Sequence, residues 1–124
     1  MLLHTICADL YELDRLGIRL TSDDVQFVKF IGREIFPGGQ LPRPGMIRDY
    51  SAKAGFELER EQSLQPHYAR TLDRWAENLT AHREEAISAA SQEVYNRYLR
   101  YLTGCARLFH ERKVDVRQFT LVPR

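Results

Sequence analysis

From Val94 to Phe109, apolar residues recur at intervals of three and four: Val94, Tyr95, Tyr98, Leu99, Tyr101, Leu102, Cys105, Leu108 and Phe109. That spacing gathers them on one stripe of an α-helix. Such a stripe has to be covered, so it constrains the rest of the chain. A second stripe, Tyr68, Leu72, Trp75, Ala76 and Leu79, follows Pro66 and predicts a partner helix. Two long helices therefore occupy most of residues 67–112.

Three β-like segments surround these helices. Met1-Leu2-Leu3-His4-Thr5-Ile6 reads as a short buried strand. It starts without a lead-in, which leads us to expect further structure before it. Phe56-Glu57-Leu58-Glu59-Arg60 alternates apolar and polar residues, as a strand does. Val114 to Val122 is β-rich. Between the first two, Thr21-Ser22-Asp23-Asp24 offers a helix N-cap, with Val25, Phe27, Val28, Ile31 and Ile35 at helical spacing. Phe36-Pro37-Gly38-Gly39 ends that helix, and Leu41-Pro42-Arg43-Pro44 is an extended loop. Met46, Ile47, Tyr50 and Ala54 mark another helix, stopped by Gly55. The order strand, helix, helix, strand, two long helices, strand predicts an α/β chain, the end of a doubly wound domain with a helical insertion.

With 124 residues the chain suffices for one domain. Its 18 basic and 17 acidic residues nearly balance, which argues against a nucleic-acid partner. No apolar run is long enough for a membrane-spanning helix. Cys7 and Cys105 form no CxxC pair and have no clustered histidine, so no metal site is expected. A disulfide between them stays open beside the plainer reading of a reduced, cytoplasmic protein.

For chemistry, three features stand out. Tyr95, Tyr98, Tyr101 and Cys105 make the long stripe more polarisable than a leucine core: either plain packing or the wall of an apolar pocket. His4 lies in a strand, where α/β sites form at carboxyl ends. His67-Tyr68 opens a helix. Gly38-Gly39 lacks the surrounding GxGxxG or Walker pattern and reads as a turn.

Several stretches together resemble one family. They are Met1-Leu2-Leu3-His4-Thr5-Ile6; Phe30 and Glu34-Ile35-Phe36-Pro37-Gly38-Gly39 with Leu41-Pro42; Ala54-Gly55-Phe56; Ser63-Leu64-Gln65-Pro66-His67-Tyr68-Ala69-Arg70-Thr71-Leu72-Asp73-Arg74-Trp75; Glu93-Val94-Tyr95-Asn96-Arg97-Tyr98; Tyr101-Leu102-Thr103-Gly104-Cys105-Ala106; and Asp115-Val116-Arg117-Gln118-Phe119-Thr120. In this order they resemble the C-terminal portion of cyclopropane-fatty-acyl-phospholipid and mycolic acid cyclopropane synthases, over essentially the whole chain.

The resemblance implies a class I methyltransferase fold. Residues 1–6 would be its fifth strand, about 56–64 its sixth, and about 114–122 its antiparallel seventh, lying between the other two. Residues 67–112 would be the helical insertion over an acyl-chain tunnel, and 1–124 the C-terminal part of one methyltransferase domain. It further implies transfer of a methyl group from S-adenosyl-L-methionine to a cis double bond. The resulting cation loses a proton, to a bound bicarbonate, and closes to a cyclopropane. Such a cation needs π faces and an anion nearby, with water kept out.

Carried over motif by motif, the bicarbonate ligands fall on His4, the Ile6 backbone and Tyr68. The tunnel residues fall on Phe36, Leu41, Leu72, Tyr101 and Cys105. The family's glycine-rich cofactor loop, its acidic ribose ligand and the Cys and Glu that complete the bicarbonate site match nothing in this chain. No cofactor ligand is therefore expected here, and the chain alone is expected to be inactive. The implied partner is the acyl chain of a phospholipid or of a carrier-bound fatty or mycolic acid, with peripheral membrane contact. The other reading is a non-catalytic acyl-binding module.

Overall fold

A computed structural model describes all residues, Met1–Arg124. Strands β1 (Leu2–Cys7), β2 (Phe56–Ser63) and β3 (Asp115–Pro123) form one sheet in the order β1-β3-β2. The last strand runs antiparallel to both neighbours. The expected arrangement, with the third strand inserted between the first two, is found. The register pairs Leu3 with Phe119, His4 with Gln118 and Ile6 with Val116. Between Leu58 and Arg60 the β2–β3 register shifts, marking a bulge.

Strand alternation divides these side chains between two faces. On one face, Val116 joins a core with Phe27, Phe30, Ala69, Leu72, Cys105, Ala106, Leu108 and Phe109, against which Ile6 packs. On the other, Phe119 and Leu121 pack with Ile47, Leu3, Phe56 and Leu58.

The first face is covered by α2 (Ser22–Phe30), α4 (Gln65–Ala81) and α6 (Gln92–His110), and the second by α3 (Pro44–Lys53). Thr21 caps α2 through a capping box: Asp24 N–H donates to Thr21 Oγ1, and Thr21 N–H to Asp24 Oδ2 at 2.8 Å. Ser91 caps α6 by accepting from Val94 N–H. Gly55, at φ +90°, ends α3 in the left-handed region where a Cβ would be strained.

Four expectations need correction. The opening strand is not buried: Met1, Leu2 and His4 are exposed, because β1 is an edge strand paired only with β3. A short helix, α1 (Leu10–Arg15), capped by the Asp9 carboxylate, was not expected from its six-residue pattern. On α2, Val25 and Val28 face outward while Asp24, Phe27 and Phe30 are buried, so the inward face carries a charge the hydrophobic spacing could not show. Finally, α5 (Arg83–Ala89) stands between the two long helices, giving three elements where two were read.

Candidate functional site

The helical face of the sheet carries the candidate site. Successive residues of β1 alternate in direction, so His4 and Ile6 lie on the same face. Ile6 packs on the core formed by α2, α4 and α6. Tyr68, in the first turn of α4, packs on that core too, its ring centroid 5.1 Å from Phe109 and 6.1 Å from Trp75. The Ile6 and Tyr68 side chains thus meet one apolar cluster, and His4 shares its side of the sheet.

Leu72 is fully buried one turn along α4. Tyr101 and Cys105 sit one turn apart on α6. Burial, and then the neighbouring Cys105 and Tyr68, push the Tyr101 phenol up to about 12. Burial pushes the Cys105 thiol up to about 12 as well. The Tyr68 phenol is also raised, first by burial and then by Cys105. These three polar groups are therefore mutually close, neutral at physiological pH and embedded in apolar surroundings. Such an environment suits an uncharged, apolar ligand.

Phe36 reaches this group from the loop side. A π turn, Ile31–Ile35, continues α2, and Phe36 N–H donates to Ile31 O at 2.8 Å. The Phe36 ring stands edge-on to Tyr101, 6.0 Å between centroids. Its other side is exposed. Leu41 lies beyond the turn in an extended loop, half exposed and outside the packed cluster. The structure therefore brings Ile6, Phe36, Tyr68, Leu72, Tyr101 and Cys105 together, with His4 on the same face and Leu41 apart.

His4 is exposed, and its Nδ1 lies 3.2 Å from Gln118 Nε2, directly across the β1–β3 pair. Gln118 lies within the motif at residues 115–120, which by itself assigns it no role. Only the antiparallel register sets it beside the imidazole.

A separate cavity of about 160 Å³ lies at the carboxyl end of β1, lined by Cys7, Glu12, Asp115 and Arg117 among others. None of the expected site residues lines it. It is smaller than the few hundred Å³ typical of small-molecule sites. Two of its charges pair with each other, Arg117 bonding Asp115 at 2.9 Å, and Arg117 also bonds Glu61 at 2.7 Å, which Arg48 bonds in turn. Both cysteines are buried and unbridged.

Comparison with known proteins completes the picture. Residues 1–119 match the family model described as mycolic acid cyclopropane synthetase. The chain is 56% identical to the cyclopropane mycolic acid synthase MmaA2 of Mycobacterium tuberculosis over 122 residues, 98% of this chain and 42% of that protein. It is 51% identical to the methoxy mycolic acid synthase MmaA3 of the same species, with the same coverage. The solved structure of MmaA2 superposes with a TM-score of 0.94, covering 97% of this chain and 42% of that one. That of the cyclopropane synthase CmaA1, solved with SAH and CTAB, gives 0.90 at 48% identity, covering 98% and 43%. The chain thus spans less than half the length of these relatives. Its sheet order, its helical layer and this likeness over nearly every residue place it in the mycolic acid cyclopropane synthase family, with the class I methyltransferase fold.

Proposed function

We propose that the chain supplies the acyl-binding side of an S-adenosyl-L-methionine-dependent methyltransferase acting on cis double bonds of fatty or mycolic acyl chains. The observation that carries this reading is the cluster of Phe36, Tyr68, Leu72, Tyr101 and Cys105 on one face, in a chain 56% identical to a cyclopropane synthase.

In this reading the cofactor, when bound, supplies the methyl group. None of the residues here is assigned to hold it. The aromatic rings of Phe36 and Tyr101, edge-on to each other, would offer π density to positive charge developing on the lipid. Leu72 and Cys105 keep water out. His4, the Ile6 backbone and Tyr68 would hold bicarbonate as part of a cradle. The donor set fits an anion, since an imidazole N–H and a phenol O–H can both donate to carboxylate-like oxygens. Held there, bicarbonate would supply a base for the proton released from the substrate.

Trp75 is the single tryptophan and stands edge-on to Tyr68, so it reports on this cluster. Titrating the chain with oleate is expected to give a saturable change in Trp75 emission. Phe36→Ala, at an exposed position that should not disturb folding, is expected to weaken binding about fivefold through lost apolar contact. With S-adenosyl-L-methionine and an unsaturated acyl substrate, the chain alone is expected to form no product. An emission trace indifferent to oleate, or equal affinity in Phe36→Ala, would remove the acyl assignment. Product formed by the chain alone would overturn the division of labour.

A further inference from the structure

We propose that Gln118 is the positioning residue of the anion cradle: it fixes the His4 ring and its tautomer so that Nε2–H is left as a donor. This rests on the reading of His4 given above, but only for what that donor faces.

The geometry begins with register. His4 and Gln118 are directly opposed in the β1–β3 pair, so their side chains leave the same face as neighbours. Gln118 Nε2 stands 3.2 Å from His4 Nδ1. An amide nitrogen carries two protons and accepts nothing. It must therefore donate, and Nδ1 must be the bare, accepting nitrogen. In a neutral imidazole the remaining proton is then on Nε2, the ring nitrogen directed away from Gln118. No other side chain contacts the imidazole through a hydrogen bond, so Gln118 is the one side chain that biases the ring between its two tautomers. Histidine ligands are commonly fixed by such a second partner, which sets the ring's orientation as well as its proton. The consequence is that the anion-facing nitrogen of His4 is a donor at neutral charge, without requiring an imidazolium.

The test is nitrogen NMR of the ¹⁵N-histidine-labelled chain at a pH that keeps imidazoles neutral. The unmutated chain is expected to show His4 as the Nε2–H form. Gln118→Leu removes the donor, and both tautomers should then interchange. Gln118→Glu replaces donor by acceptor at the same reach, and the form should invert to Nδ1–H. A structural role for Gln118 in strand pairing would leave the tautomer unmoved in all three, as would a wrong assignment of the contact. An unchanged Nε2–H signal in Gln118→Glu overturns the proposal.

Bicarbonate added to the same samples separates this proposal from the one beneath it. If the tautomer inverts as stated but bicarbonate moves no His4 signal in the unmutated chain, Gln118 controls the ring and the anion reading fails. If bicarbonate shifts Nε2 in the unmutated chain and the Gln118→Glu shift falls by about fivefold or more, a donor lost to the anion, both stand.

Discussion

At the scale of single residues, the strongest electrostatic feature is Asp24, which is fully buried at the start of α2. Lys113 donates to it at 2.6 Å and Arg107 at 2.5 Å, while its own capping bonds hold Thr21. Burial pushes this carboxyl up, but bonds from Lys113, the Thr21 backbone and Arg107 outweigh that and hold it well below the usual carboxylate range. A carboxyl depressed in the folded state stabilises the fold above its unfolded value, about pH 4. That stabilisation is lost as pH falls through the folded value. Thermal melts from neutral pH downward should therefore show a steep loss of stability below about pH 4, and Asp24→Asn should flatten it. At neutral pH, Asp24→Ala leaves Lys113 buried with only Glu111 as partner, and should cost about 3 kcal/mol. A melt unchanged by Asp24→Ala would show the cluster to be dispensable.

At the scale of elements, α6 and α2 approach closely because position 104 has no side chain. A Cβ added to Gly104 would overlap the ring of Phe27. That ring lies in the core, fixed between α2 and α6, and cannot retreat without disturbing Phe30 beside it. Gly104→Ala should therefore destabilise the fold by about 1–3 kcal/mol, although alanine is the better helix former. The measurement is denaturant unfolding. A midpoint raised by the substitution would mean the two helices are not packed as described. The π turn Ile31–Ile35 belongs to this scale too: it carries the chain from the anchored part of α2 to Phe36, whose ring stands edge-on to Tyr101.

At the scale of the whole molecule, the sheet has an open side. The outer edge of β1 pairs with nothing, and Met1 and Leu2 expose apolar surface there. Unpaired apolar edges recruit other strands. The purified chain is expected to self-associate with rising concentration, and Leu2→Lys should shift it toward monomer in sedimentation velocity by adding a charge at that edge. Identical sedimentation of the two forms would place any association elsewhere.

Much of this architecture was legible in the residues. The stripes at 68–79 and 94–109 had to become packed helices, because apolar side chains at intervals of three and four have no other common face to share. The alternation at 56–60 and the β-rich tail had to become strands, and Thr21 and Gly55 punctuate helices through their own local bonding and backbone freedom. The family resemblance named His4, Tyr68 and the tunnel residues. Which of them meet was decided only by the tertiary structure. Spacing along one element cannot report a register between strands far apart in sequence, so Gln118 beside His4 was invisible. Nor could it show that Asp24 turns inward to Lys113, since burial of a charge depends on a partner 89 residues away. Local periodicity is a property of one segment, whereas a site is made of contacts between segments, and those exist only once the chain has closed on itself.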